Sequence, residues 1–243
     1  MSTRQAETEI LERPWAEFWP EFCASYRATR DDAQHVAILG PNGTGKTTLA
    51  MQIATQRPYV FVLAAKPRDK HMAAMLKADG YRKYLGAGLP ESGSGTRRCY
   101  LWPPNVGVRS RGYQRQVFAG ALAQAFRVGV WHGLIDEAHY LAETLKLAPE
   151  IKQALQMGRS NGHGLILCAQ RPAWLPRDVY SASTHLFLFG TNDAADLKSI
   201  SGLNGVNDRT VRDAVAMLGR DHHFLHVNTA TGALTISRYE KRR

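Results

Sequence analysis

The stretch HVAILGPNGTGKTTLAMQIATQ, residues 35–56, decides the fold of this chain. Its first five residues are mostly apolar and predict a buried strand, while residues 46–56 have the pattern of a helix. Between them, GPNGTGKT at 40–47 matches the pattern G-x-x-x-x-G-K-[S/T] at every position. Because a strand precedes the pattern and a helix follows it, we predict a P-loop that binds a nucleoside triphosphate.

The residue types of this loop explain the chemistry that we expect from it. Glycines let successive backbone N–H groups turn towards one anion, and the following helix adds partial positive charge at its N-terminus. The ammonium of Lys46 is expected to reach the β- and γ-phosphates, and the Thr47 hydroxyl to coordinate Mg²⁺. We therefore predict ATP and Mg²⁺ as cofactors. The predicted nucleotide-binding residues are Gly40, Pro41, Asn42, Gly43, Thr44, Gly45, Lys46, Thr47 and Thr48.

A second motif, GLIDEAH at 133–139, supplies two adjacent carboxylates at the end of a predicted strand. A P-loop site needs a carboxylate on a neighbouring strand to hold its metal, and Asp136 fits this role together with Thr47. Glu137 follows directly and is predicted to polarise the attacking water as general base. The alternative is an acidic pair that caps a helix. Lys46 and Glu137 are thus predicted catalytic residues.

A third motif contains Gln170, which follows the strongly apolar segment 164–169. Ligands of open α/β sheets bind at the carboxyl ends of the strands. A neutral amide at that place can contact the γ-phosphate or the water, so we count Gln170 among the predicted catalytic residues. The alternative is an ordinary turn glutamine.

The rest of the chain alternates short apolar runs with amphipathic segments, which predicts an α/β fold. Near-continuous apolar strands favour a mostly parallel sheet with helices on both faces. Residues 99–103 are predicted as a short edge strand, and 223–228 with 233–239 as a C-terminal β-hairpin. His222, His223 and His226 are expected on a strand, where the first two face opposite sides, which disfavours a shared metal.

The N-terminal segment differs from the body, so we divide the chain into an extension, 1–34, and an ATPase domain, 35–243. The extension is acidic, and its sequence predicts a helix with an aromatic face. That face is expected to pack on the body or on a neighbouring subunit. Its residues are Trp15, Phe18, Trp19 and Phe22.

Charge and composition bound the function. The net charge is +10 with pI near 9.7, and no acidic residue occurs between Glu91 and Asp136. A basic body attracts polyanions, chiefly nucleic acid, although a solvated basic face is the alternative. Three unclustered cysteines indicate reduced thiols in a cytoplasmic protein. We find no secretory signal and no apolar run that predicts a membrane span.

Two basic segments leave alternatives open. Lys66 and Arg68 follow the second predicted strand and could contact nucleotide or DNA, although solvated surface is favoured. In the segment 97–115, arginines alternate with Tyr100, Trp102 and Tyr113, which suits either a DNA-tracking loop or a basic surface.

Three segments together resemble one family of P-loop ATPases. GPNGTGKTT at 40–48, LIDEAH at 134–139 and GRSNGHGLILCAQRPAWLP at 158–176 are similar to the FtsK–HerA superfamily. The resemblance covers residues 35–230, and the compact form is similar to the genome-packaging ATPases of membrane-containing DNA viruses. It implies a RecA-like P-loop (ASCE) fold and a homo-oligomeric ring, usually a hexamer, with the nucleotide between subunits.

The resemblance also implies an arginine that one subunit supplies in trans to the γ-phosphate of its neighbour. Arg159 occupies the matching position and is the predicted catalytic arginine, with Arg171 as second choice. Such an arginine stabilises charge in the transition state. The alternative for Arg159 is a favourable charge at a helix C-terminus.

Double-stranded DNA is the partner that the resemblance and the basic charge favour, and genome packaging is the leading function. The alternatives are a motor in DNA transfer or defence, and an ATP-driven protein-secretion or assembly factor that does not act on DNA. A capsid or shell protein is a further expected partner, docked through the N-terminal helix. We expect the protein in the host cytoplasm or, if it is viral, with the virion.

Overall fold

One sheet runs through the part of the chain that the structure, a computed structural model, describes. That part comprises residues 9–27, 29, 32–91, 94–175, 177–200, 208–219 and 221–240. The strands are β1 (Ile10–Glu12), β2 (His35–Leu39), β3 (Val60–Leu63), β4 (Arg82–Lys83), β5 (Arg98–Leu101), β6 (His132–Ile135), β7 (Gly164–Ala169), β8 (Ser183–Phe189), β9 (His223–Asn228) and β10 (Ala233–Arg238).

Eight α-helices accompany these strands within the described ranges. They are α1 (Trp15–Ser25), α2 (Lys46–Ala54), α3 (Lys70–Ala78), α4 (Arg111–Val128), α5 (Ala148–Met157), α6 (Arg177–Ala182), α7 (Ala194–Ser199) and α8 (Asp208–Met217). Single 3₁₀ turns lie at Val108–Ser110, Arg159–Asn161 and Pro172–Trp174, and a π-helical turn at Tyr140–Thr144.

The strand order across the sheet is β1-β10-β9-β8-β2-β7-β6-β3-β5-β4. From β8 to β4 in this order, each strand is parallel to its neighbour. The hairpin β9–β10 adds two antiparallel strands beside β8, and β1 joins the far side of β10 in parallel. The predicted α/β fold, with a mostly parallel sheet and a C-terminal hairpin, is confirmed.

The prediction of an edge strand at 99–103 is wrong in one respect. The strand β5 lies inside the sheet, because β4 pairs in parallel with Cys99 and Tyr100 on its outer side. Both residues of β4, Arg82 and Lys83, are exposed. A two-residue strand with exposed side chains carries no period that a sequence could reveal.

The sheet is covered on both faces, and alternate residues of each strand supply the two cores. On β2, Val36 and Ile38 pack with α1, α2 and α3 on one face. On the same strand, Ala37 and Leu39 join α4, α5, α6 and α8 on the other face. All five residues of β2 are buried, as expected for a central parallel strand whose faces both meet helices.

The aromatic face of α1 packs on the body of the same chain. Phe18 lies 5.3 Å from Phe224, and Phe22 lies 5.2 Å from Phe187, measured between ring centroids. Aromatic pairs at such separations add stabilisation to the burial of their area. Before α1, the strand β1 extends the sheet, which the sequence did not indicate. The domain boundary at residue 34 stays a prediction.

Three buried histidines lie where strands begin. His35 and His132 are the first residues of β2 and β6, and His163 directly precedes β7. Burial lowers the pKa of His35 to about 3, of His132 to about 3 and of His163 to about 4. Their imidazoles are therefore neutral in the folded chain at neutral pH.

Stability is expected to fall as the pH decreases from 6.5 towards 5. An unfolded histidine has a pKa near 6.5, so in this window the unfolded chain binds protons that the folded chain does not. Each of the three histidines should remove about 1–2 kcal/mol of unfolding free energy by pH 5. Urea unfolding at pH 7.5, 6 and 5 measures the effect. The His132→Gln variant lacks one of these titrating groups, so its unfolding free energy should fall less between pH 7.5 and pH 5, by about the contribution of one histidine. An identical pH dependence of the unfolding free energy in both chains would contradict the assignment.

Candidate nucleotide-binding site

Polar side chains from four segments lie at the carboxyl ends of four neighbouring parallel strands, at the same edge of the sheet. The P-loop follows β2, Gln170 follows β7, Asp136 follows β6 and Lys66 closely follows β3, and these four strands are adjacent in that order. Together they enclose a cavity of about 370 Å³. The lining residues are Asn42, Gly43, Gly45, Lys46, Thr47, Thr48, Lys66, Asp69, His71, Asp136, Glu137, Gln170 and His222.

The P-loop backbone has the shape that an anion requires. Gly45 adopts φ of 100° directly before α2, and no side chain caps that helix. The first N–H groups of α2 are therefore available to an anion in the cavity, as in known phosphate sites at helix N-termini. At Gly40, a Cβ atom would lie 2.5 Å from the Cβ of Phe189, so only glycine allows the loop to leave β2 there.

Lys46 and Thr47 lie where the sequence predicts them. The Nζ of Lys46 donates to the carbonyl oxygen of Pro41 at 2.7 Å, and the residue is buried. Burial lowers the pKa of this ammonium, although Asp136 and Glu137 oppose the effect. The Thr47 hydroxyl donates to Oδ1 of Asp136 at 2.6 Å. The two residues predicted to hold a metal are thus in direct contact.

Glu137 and Gln170 are also brought together. The side-chain amide of Gln170 donates from Nε2 to both carboxylate oxygens of Glu137, at 3.1 and 3.3 Å. Gln170 is therefore no isolated turn residue; it orients the carboxylate that we predict as general base. Its contact with a phosphate or a water stays a prediction.

The expectation of solvated surface is only partly right for Lys66, whose side chain is 38% exposed but lines the cavity, whereas Arg68 is exposed. The Nζ of Lys66 lies 3.0 Å from Oδ2 of Asp136 and 3.2 Å from Oε1 of Glu137. Burial by itself lowers the pKa of Lys66, but the two carboxylates outweigh burial and raise it overall. The sequence could not show this contact, since it depends on β3 lying beside β6.

His222 is a second residue of the site that the sequence analysis missed. It lies before β9 rather than on a strand, with φ of 62°, and its Nδ1 is 2.8 Å from the carbonyl oxygen of Thr44. Since a carbonyl only accepts, Nδ1 carries the proton. By contrast, His226 is inside β9, with its Nε2 3.0 Å from Nδ1 of His185.

The two candidate arginines lie at opposite edges of the sheet. Arg159 belongs to the 3₁₀ turn that precedes β7 and pairs with Asp32 at 2.5 Å. The helix α5 ends before it, at Met157. Arg171 follows Gln170 on the P-loop edge and pairs with Asp193 at 2.6 Å. The choice between the two arginines stays a prediction.

The residues of the cavity fit Mg²⁺ and a nucleotide. The loop offers N–H groups and one ammonium to phosphates, and Thr47 with Asp136 offers two oxygen ligands of the kind that Mg²⁺ prefers. The ammonium of Lys66, beside Asp136, shows that a cation can be held at these carboxylates.

Comparison with solved structures shows the same architecture in packaging enzymes. The genome packaging NTPase B204 from Sulfolobus turreted icosahedral virus 2, in complex with AMP, has a TM-score of 0.63 at 18% identity, over 88% of this chain and 100% of that one. B204 from Sulfolobus Turreted Icosahedral Virus, a DNA-packaging ATPase, gives 0.63 at 20% identity, with the same coverage. This chain has the fold of B204.

The shared fold extends to another kind of ATPase. The cytoplasmic domain of the type VII secretion ATPase EccC from Thermomonospora curvata has a TM-score of 0.56 at 16% identity, over 87% of this chain and 26% of that one. The resemblance predicted from the three motifs is thereby confirmed as a likeness of fold. No protein-family model and no curated protein matches the chain. Within the described ranges, no helix has both the length and the apolar character needed to cross a bilayer.

Gly45→Ala tests the P-loop geometry. An alanine there must adopt a left-handed conformation, which costs about 1–2 kcal/mol, and its Cβ would lie 3.0 Å from Nδ1 of His222. We expect affinity for a fluorescent ATP analogue to fall by about tenfold or more. The control is Gly95→Ala, at a glycine with φ of 71° and open space around it, which should bind normally. Equal affinity of the two variants would contradict the assigned geometry.

Proposed function

We propose that this chain binds Mg²⁺–ATP at the P-loop edge of its sheet and hydrolyses it. The observation that carries the proposal is the meeting of three separate motifs around one cavity: Lys46 with Thr47, Asp136 with Glu137, and Gln170. Two hydrogen bonds support the assignment. The bond from Thr47 to Asp136 joins the two predicted metal ligands, and the bond from Gln170 to Glu137 joins the predicted general base to the side chain that positions it.

Each side chain has a defined part in the reaction. Backbone N–H groups of the P-loop bind the phosphates, and Lys46 exchanges the Pro41 carbonyl for phosphate oxygens, which form stronger, charge-assisted hydrogen bonds. Thr47 and Asp136 would hold Mg²⁺, which would supply positive charge against the phosphates of the nucleotide. Glu137 accepts a proton from the attacking water, while Gln170 holds its carboxylate in position.

We propose further that the energy of hydrolysis moves DNA, in the manner of a packaging motor. The fold of B204 and the net charge of +10 support this assignment. A segment that begins after β5, at the carboxyl ends of the strands, adds local support, because it exposes arginines and an aromatic ring without any acidic residue. The exposed residues are Val106, Val108, Arg109, Arg111 and Tyr113. Cations with aromatic side chains suit a polynucleotide backbone and its bases.

The steady-state ATPase rate with and without double-stranded DNA tests both parts of the proposal. We expect DNA to increase the rate at low salt and the increase to fade at moderate salt, because DNA binding releases counterions. The blank is Glu137→Gln, which should bind ATP but lose about 10²–10⁴-fold in turnover. Normal turnover in that variant would remove Glu137 from its role.

A protein-secretion or assembly ATPase is the second candidate, favoured by the fold shared with EccC. It differs in one measurable respect, because DNA would leave its ATPase rate unchanged. That result would retain ATP hydrolysis and overturn the DNA-motor assignment.

The position of Arg159 favours a ring in which subunits complete one another's sites. It precedes β7, and Gln170 follows β7, so a strand of six residues separates them. Such a strand is about 20 Å long, and Arg159 therefore lies too far from the cavity of its own chain to act there. Its exposed side chain is open to a neighbouring subunit.

Mixing two inactive variants tests action in trans. Arg159→Ala should bind ATP and lose about 10³–10⁵-fold in turnover. When it is mixed with Glu137→Gln, some neighbouring pairs combine an intact site with an intact arginine, so activity should return in part. Absence of any recovery across mixing ratios would contradict a role in trans for Arg159 and direct the same test to Arg171.

Contact with a capsid or shell protein through α1 would have to use its exposed side. The aromatic face is buried against the body, whereas Glu17 and Glu21 are exposed. A basic patch on the shell protein is the chemistry that this side would fit.

A further inference from the structure

Lys66 forms the most concentrated set of ion pairs in the described part of the site. Its Nζ lies 3.0 Å from Asp136, 3.2 Å from Glu137 and 3.8 Å from Asp69, measured to the nearest carboxylate oxygens. Two of these partners are nearly buried, with side chains 4% and 16% exposed. Adjacent buried carboxylates repel each other, and the ammonium between them removes that cost.

The ammonium competes for the oxygens that a metal ion would use. Asp136 accepts from Thr47 at Oδ1 and from Lys66 at Oδ2, so both of its oxygens are engaged. Thr47 and Asp136 are the pair that we assign to Mg²⁺. A cation that belongs to the protein is therefore bound where a cation from solution is needed.

The main chain of Lys66 is held in place, while its side chain can move. Trp102 donates from Nε1 to the carbonyl oxygen of Lys66 at 2.7 Å, and Asn105 donates to that of Ala65 at 2.9 Å. These bonds fix the turn after β3 and keep the ammonium within reach of the site. The four-carbon stem of lysine has several rotatable bonds and can withdraw without disturbing that turn.

We propose that Lys66 is a built-in counter-cation, which holds Asp136 and Glu137 in position until Mg²⁺ arrives with the nucleotide and displaces it. The proposal rests on the proposed function of the site and adds how the site selects its ligand. A divalent ion alone gains little here, because it must expel the ammonium from its two close carboxylates and leave it only the more distant Asp69. When the ion enters with a triphosphate, the phosphates supply the anion that the displaced ammonium needs.

Divalent-ion binding without nucleotide tests this directly. Mn²⁺ titrations followed by electron paramagnetic resonance should show weak binding to the unaltered chain and a gain of about tenfold or more in Lys66→Met. Thermal unfolding should agree: Lys66→Met should melt lower than the unaltered chain, and Mg²⁺ alone should restore several degrees to this variant only. The matched control is Arg68→Met, which removes one positive charge from an exposed residue of the same turn and should behave like the unaltered chain.

Two further variants locate the effect. Lys66→Arg retains a cation and should keep Mn²⁺ binding weak. Asp136→Asn in the Lys66→Met background should abolish the gained binding, because it removes the carboxylate that the ion uses. Equal Mn²⁺ affinity in Lys66→Met and the unaltered chain would overturn the proposal, and so would an equal gain in Arg68→Met. These measurements need no ATP turnover. If the unaltered chain hydrolyses no ATP, the proposed function is overturned, whereas the counter-cation proposal is decided by the Mn²⁺ affinities and melting temperatures.

Discussion

The hydrogen bond from Thr47 to Asp136 joins two residues that are 89 positions apart, and it can form only in one arrangement of the sheet. Thr47 is the second residue of the helix after β2, and Asp136 directly follows β6. Both strands flank β7 and run parallel to it, so their carboxyl ends meet at one edge. The same register places Gln170, at the end of β7, between the two. The site is therefore a consequence of three adjacent parallel strands.

Charge compensation is the second constraint on this edge. Two acids with little exposure lie beside a loop to which we assign a strongly negative ligand, and each charge needs a partner in the absence of that ligand. Lys66 forms ion pairs with the two acids, and Lys46 donates a hydrogen bond to the Pro41 carbonyl. Both lysines hold internal partners that phosphate or metal can replace, so the site keeps its shape without leaving a buried charge unpaired.

The two ends of the chain also contribute to the site. The α1 helix packs its rings on Phe187 and Phe224, and so supports β8 and β9 from one face. The turn before β9 then carries His222 to the P-loop, where its ring donates to the carbonyl of Thr44. A residue 178 positions away from Thr44 thereby contacts the P-loop.

The sequence by itself determined the P-loop, the acidic pair and the α/β class, because each depends on short-range patterns. Glycine at defined spacing, a lysine before a hydroxyl and apolar runs of strand length are all local features. The sequence also placed Gln170 at a strand end, but its bond to Glu137 required knowledge of which strands are neighbours. It missed β1 and β4, since strands of two or three residues have no readable period. Only the tertiary structure decided that Lys66 and His222 join the site, because strand order, not spacing along the chain, brings β3 beside β6 and the turn before β9 beside the P-loop.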